Sequence, residues 1–174
     1  MTLVDAVPDA STDAAPDASA GAGRLPFFVY GTLRPGAPNH ARFLEGRTRS
    51  EEPARLTGAT LYPGPGYPYA VECPGGVVTG DLVTARPEAY AGLLATLDRL
   101  EEYTPGDPRN LYDRVARNVV RAADGAPVRA WVYVAAPAVA ARLRARATPI
   151  AGGEWRIAGG EWRIAGGEWR IAGR

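Results

Sequence analysis

No lysine occurs in the 174 residues, cysteine occurs once (Cys73) and histidine once (His40). A single cysteine excludes an internal disulfide and a Cys-rich metal site, and it fits a reducing, cytoplasmic compartment. A single imidazole rules out a His-rich zinc site, so no metal ligand set is expected; beside a helix start, His40 reads as a surface residue. As a general base it would lack a Ser or Cys nucleophile in any recognisable spacing. Nothing approaches the length of a membrane span, and the first residues lack the basic start and continuous apolar segment of a signal peptide. Neither membrane partnership nor export is expected. The 20 basic residues are all Arg, a type suited to phosphate, yet they are scattered and the net charge is only +1, which argues against a nucleic-acid partner.

The length suits one domain with a real core. Residues 1–23 carry four Asp, no basic residue and no aromatic, so they bury too little apolar surface to offset ordering and read as a disordered tail. The domain is expected over 24–150, and 151–174 is a repeat tail in which GGEWRIA occurs three times, beginning at Gly152, Gly159 and Gly166. A seven-residue period invites a coiled coil. A Gly-Gly pair in every unit costs roughly 2 kcal/mol of helix propensity, which removes that reading. Replication slippage explains the copies, with at most the first packed on the domain; the rival is an array whose Trp155, Trp162 and Trp169 dock on a neighbouring surface.

The stretch FFVYGTLRPG at 27–36 organises the rest. Phe27, Phe28, Val29 and Tyr30 make a run short enough for a buried strand, and Gly31 ends it at a turn. Successive amides of Gly31, Thr32 and Leu33 leaving a strand can form a concavity for a carboxylate or an oxyanion, though an ordinary strand-to-loop junction fits the same residues. Asn39 then reads as the cap of a short helix. Residues 54–61 and 77–83 read as strands, with Gly80 marking a bulge or a close backbone approach. Between them Tyr62, Tyr67 and Tyr69 either line a pocket or fasten a loop to the core. Residues 111–122 and 128–134 read as an antiparallel hairpin turned at Asp124-Gly125, and a short helix runs from Pro137 to Ala147.

The clearest periodicity is in 86–103. It predicts a helix with Pro87 in its first turn and Tyr90, Leu93, Leu94, Leu97 and Leu100 on one apolar stripe. Glu101 falls inside that stripe. A carboxylate there is costly unless paired or protonated, and both desolvation and the negative end of the helix dipole raise its pKa towards the range of a general acid–base catalyst. The alternatives are that the helix end frays into water, or that Glu101 pairs with an Arg.

Four features together resemble the γ-glutamylcyclotransferase family, including its γ-glutamylamine cyclotransferase and AIG2-like branches. They are FVYGTLRPG at 28–36, GYPYAV at 66–71, LDRLEEY at 97–103 against an LD-x-x-E-G pattern, and Tyr112-x-Arg114 leading into the hairpin that ends AWVYV. Glu102 departs from the family's Gly and supplies a second carboxylate. The resemblance covers about 25–150. It implies an α+β fold, a small mixed, partly closed β-barrel flanked by helices, and a reaction without metal or cofactor. It implies a cyclotransferase in which the α-amino group of a γ-glutamyl amine or peptide attacks its own γ-carbonyl, releasing 5-oxoproline and the amine. Glu101 would be catalytic, and Tyr30, Gly31, Thr32, Leu33, Pro68 and Tyr112 would bind substrate. The alternatives are a non-catalytic ligand-binding relative, or an interaction or self-association protein acting through its Trp repeats.

Overall fold

A computed structural model of the chain describes residues 24–156. The expected tail 1–23 and the second and third repeat units lie outside them. Five strands and three helices follow in the order β1 (Phe27–Val29), α1 (Pro38–Phe43), β2 (Thr48–Pro63), β3 (Pro68–Ala85), α2 (Tyr90–Leu100), β4 (Tyr112–Arg121), β5 (Pro127–Ala135) and α3 (Pro137–Arg146), and a single 3₁₀ turn spans Ala151–Gly153. The strands form a closed mixed barrel in the order β1-β3-β2-β4-β5. The expected barrel was partly closed; β1 completes it by lying antiparallel to β3 and parallel to β5, where Phe27 faces Trp131.

The strands at 54–61 and 77–83 are parts of longer ones. β2 and β3 form one hairpin in which Tyr62 faces Tyr69 and Pro63 faces Pro68, with a register shift between Thr57 and Ala59. Gly58 sits in that shift at φ 80°, a bulge that bends a long strand enough to wrap a barrel. Gly80 is a close approach: a Cβ there would strike the Val29 carbonyl and the Phe28 ring.

Side chains alternate across the strands and divide the core in two. Phe28, Leu56, Leu61, Val78, Leu82, Val119, Ala130 and Val132 fill the barrel. On its outer face Phe27, Val29, Val83, Tyr112 and Tyr133 meet Tyr90, Leu93 and Leu97 of α2. The α2 stripe is therefore real, but the helix starts at Tyr90 rather than 86, because Pro87 and its neighbours form a preceding turn. It also ends at Leu100, so Glu101 is the residue after the last turn, with φ −86° and ψ 2°.

That end is closed by two crossed hydrogen bonds, Tyr103 N to the Asp98 carbonyl at 2.8 Å and Glu102 N to the Arg99 carbonyl at 3.3 Å. This closure requires a left-handed residue just past the cap, and Glu102 takes that role at φ 51°, alone among the described non-glycine residues. Beyond it, the buried Asn110 ties the next loop back, accepting from Thr104 N at 3.1 Å and donating to the Thr104 carbonyl at 2.8 Å and Asp113 at 3.0 Å.

Candidate active site

A cavity of about 620 Å³ opens where β1 ends against the C-terminal end of α2. Its wall includes Tyr30, Gly31, Thr32, Leu33, Pro68, Glu101 and Tyr112, every site residue expected from sequence, drawn from four stretches far apart in the chain. Tyr67, Arg42, Arg99, Glu102 and Tyr133 also border it.

The turn after β1 presents its amides freely. Arg34 N donates to the Gly31 carbonyl at 3.1 Å, whereas the amide hydrogens of Gly31, Thr32 and Leu33 go to no acceptor among the described residues. Gly31 owes its identity to packing: a Cβ would sit 3.0 Å from Pro68 Cδ, so the glycine lets the turn and the β2–β3 loop close against each other. Asn39 was expected to cap α1. Ala37 holds that position instead, with no side-chain cap, and Asn39 lies buried one residue inside the helix. There it clamps Thr32, its amide donating to the Thr32 carbonyl and its Nδ2 to Thr32 Oγ1, both at 3.0 Å.

The tyrosines fix one another. Tyr30 Oη donates to the Tyr133 carbonyl at 2.6 Å and accepts from Ala70 N at 3.3 Å, while Tyr112 Oη donates to the Pro68 carbonyl at 2.9 Å. Tyr112 stacks on Tyr69 with centroids 4.8 Å apart, and Tyr67 meets Tyr69 edge-on at 5.5 Å. The Tyr cluster therefore both fastens the loop and lines the cavity. Tyr133 Oη donates to Asp98 Oδ1 at 2.7 Å; the Arg114 guanidinium lies 3.5 Å from the same oxygen and stacks over Trp131 and Tyr103. Burial, chiefly, holds the hydroxyls of Tyr30, Tyr69, Tyr112 and Tyr133 above their ordinary range, and the nearby charge of Glu101 adds to all four.

Glu101 has no hydrogen-bonding or ionic side-chain partner among the described residues. Desolvation pushes its carboxyl up from 4.5 to about 7. Glu102 is exposed. Sequence reasoning missed Asn39 and Tyr133: the first looked like a cap, and the second was read only as part of the strand at 128–134, with nothing to show that a cavity lies beside it. His40 pairs with Glu51 at 2.7 Å and does not border the cavity. Among the described residues no three His, Cys, Asp or Glu side chains gather as metal ligands, and no helix is long and apolar enough to cross a membrane.

A family model described as gamma-glutamyl cyclotransferase, AIG2-like, matches residues 27–163. A curated relative from Niallia circulans, named gamma-L-glutamyl-butirosin B gamma-glutamyl cyclotransferase, is 37% identical over 109 residues, 62% of this chain and 64% of its own length. The chain thus spans a little under two thirds of that relative. Among solved structures, an AIG2-like protein from Mus musculus superposes with a TM-score of 0.57 at 24% identity, covering 76% of this chain and 88% of the other. An Arabidopsis thaliana protein gives a TM-score of 0.54 at 28% identity, covering 77% and 70%. With that match running through all five strands of the barrel, the chain belongs to the gamma-glutamyl cyclotransferase, AIG2-like family.

Proposed function

We propose that the protein is a cofactor-independent cyclotransferase that releases 5-oxoproline and an amine from a small γ-glutamyl amine or peptide. The observation that carries this reading is a partnerless, desolvated carboxyl, Glu101, lining the same cavity as a turn of unused amides. The ionised Glu101 takes a proton from the substrate's α-ammonium, and the freed nitrogen attacks the γ-carbonyl carbon. Charge then gathers on the carbonyl oxygen, where amides from Gly31 to Leu33 meet it or hold the substrate's α-carboxylate. Collapse breaks the bond to the leaving nitrogen, which receives the proton from Glu101. The ring nitrogen gives up its second surplus proton to the regenerated carboxylate and from there to the departing amine or water, leaving a neutral lactam. Tyr30, Tyr112 and Pro68 fold the glutamyl chain so that its two ends meet, and because attack is intramolecular this positioning supplies much of the acceleration.

In this reading residues 24–150 are the catalytic unit, with 1–23 and 151–174 as appendages, in a reducing, cytoplasmic setting. The partner is a small molecule, neither nucleic acid nor membrane. The relative's name supports a γ-glutamylated natural product as one substrate class. The test is 5-oxoproline release from a panel of γ-glutamyl amines, dipeptides and glutathione. Glu101→Gln is expected to lose at least about 10²–10⁴-fold in turnover while still binding substrate, and Glu102→Gln to stay within a few-fold. Near-normal turnover in Glu101→Gln with an inactive Glu102→Gln would reverse the assignment of the carboxylates. Saturable binding without any turnover in the unaltered protein would mark a non-catalytic relative.

A further inference from the structure

No described residue of the repeat borders the cavity, yet its first unit is seated on the barrel. The Ile150 amide donates to the Leu61 carbonyl at 2.7 Å. Gly152 and Gly153 then turn with φ 76° and 64°, and a Cβ on Gly153 would collide with the Val77 carbonyl. Glu154 accepts from Arg34 Nη1 at 3.1 Å and from Arg156 Nη2 at 2.6 Å, while Arg34 Nε holds Asp81 at 2.7 Å. Trp155 packs against the barrel's interior cluster, and with Arg156 it faces the turn of Gly31 and Arg34 to Ala37 across a small hollow. The seat therefore selects Gly152 by its left-handed backbone, Gly153 by steric exclusion, a carboxylate by a guanidinium and an indole by apolar packing.

Every residue so selected recurs at 159–163 and again at 166–170, among the 18 residues that follow Arg156. We propose that the seat beside Arg34 accepts any of the three GGEWR units of its own chain, so that the repeat is a set of interchangeable latches on one receptor. Seating the second unit lengthens the connection from Ile150 by one seven-residue period, and the entropy of closing a loop grows only logarithmically with its length. The seated side chains, and so the interactions they make, are the same in each register. Because Arg34 closes the turn that begins at Gly31, whichever unit is seated braces the loop bordering the cavity.

The test uses the full chain and thermal unfolding. Gly153→Val alone blocks one unit, Gly160→Val with Gly167→Val blocks the other two, and the triple variant blocks all three. Interchangeable units predict a small fall in Tm for the first, none for the second, and a fall of more than about 5 °C for the third, far beyond the sum of the other two. The milder series Glu154→Arg, Glu161→Arg and Glu168→Arg sets a cation against Arg34 and is expected to follow the same non-additive order. A single-unit fall as large as the triple one, or a triple variant that melts with the parent, overturns the proposal. So does protection of Gly153→Val that depends on concentration and comes with dimers in sedimentation, since the unit would then come from another chain.

Discussion

Burial pushes the Glu101 carboxyl up to about 7, with no ionic partner among the described residues to offset it, and this gives the residue two pH signatures. As a base it must begin ionised, so kcat/KM for 5-oxoproline release is expected to rise about tenfold per pH unit up to about pH 7 and then level off. Initial rates between pH 5 and 8 check this; a flat profile would remove Glu101 from the proton transfer. The second signature is in stability. The folded state holds the proton more tightly than the unfolded chain, so stability is fully present below about pH 4.5 and declines as pH climbs to about 7. Glu101→Gln lifts that penalty. It is expected to be more stable than the parent at pH 8 by about 3 kcal/mol and nearly equal at pH 4, read from urea unfolding.

At the scale of elements, α2 decides where that carboxyl sits, and its closing turn strains Glu102 into a left-handed conformation. A non-glycine residue there costs about 1 kcal/mol, so Glu102→Gly is expected to raise stability by about that amount, a few degrees in Tm, while turnover persists. A loss of stability would mean that the Glu102 side chain makes a compensating contact. The helix was legible because 3.6-residue periodicity survives in sequence, and it pointed to Glu101 through Leu93 and Leu97, both fully buried. Its first turn was misread, since Pro87 suits a helix start and a preceding turn equally well. Asn39 was misread for a similar reason: a short polar side chain caps a helix or clamps a loop with the same atoms, and only the fold brings Thr32 within reach. The full reach of β2 and β3 was hidden by Gly58, Gly75 and several prolines, which signal breaks in an isolated strand and bends in a barrel wall.

For the whole molecule, three residues of β1 both complete the barrel and lead into the turn of free amides. Phe27 lies at this junction, 1% exposed and with its ring 5.7 Å from that of Tyr90. Phe27→Ala is expected to cost about 3–5 kcal/mol and to lower Tm by about 10 °C or more, with turnover falling even where the chain remains folded. Calorimetry and rate assays on the same sample check both halves. The tyrosines in and beside the cavity bring one last consequence, an optical one. Phenolate absorbs in the ultraviolet where phenol does not, and the hydroxyls of Tyr30, Tyr69, Tyr112 and Tyr133 are all held protonated beyond their usual range. In strong alkali these four chromophores should stay dark until the barrel opens and then ionise together, so a simple absorbance trace would report the moment the cavity floods.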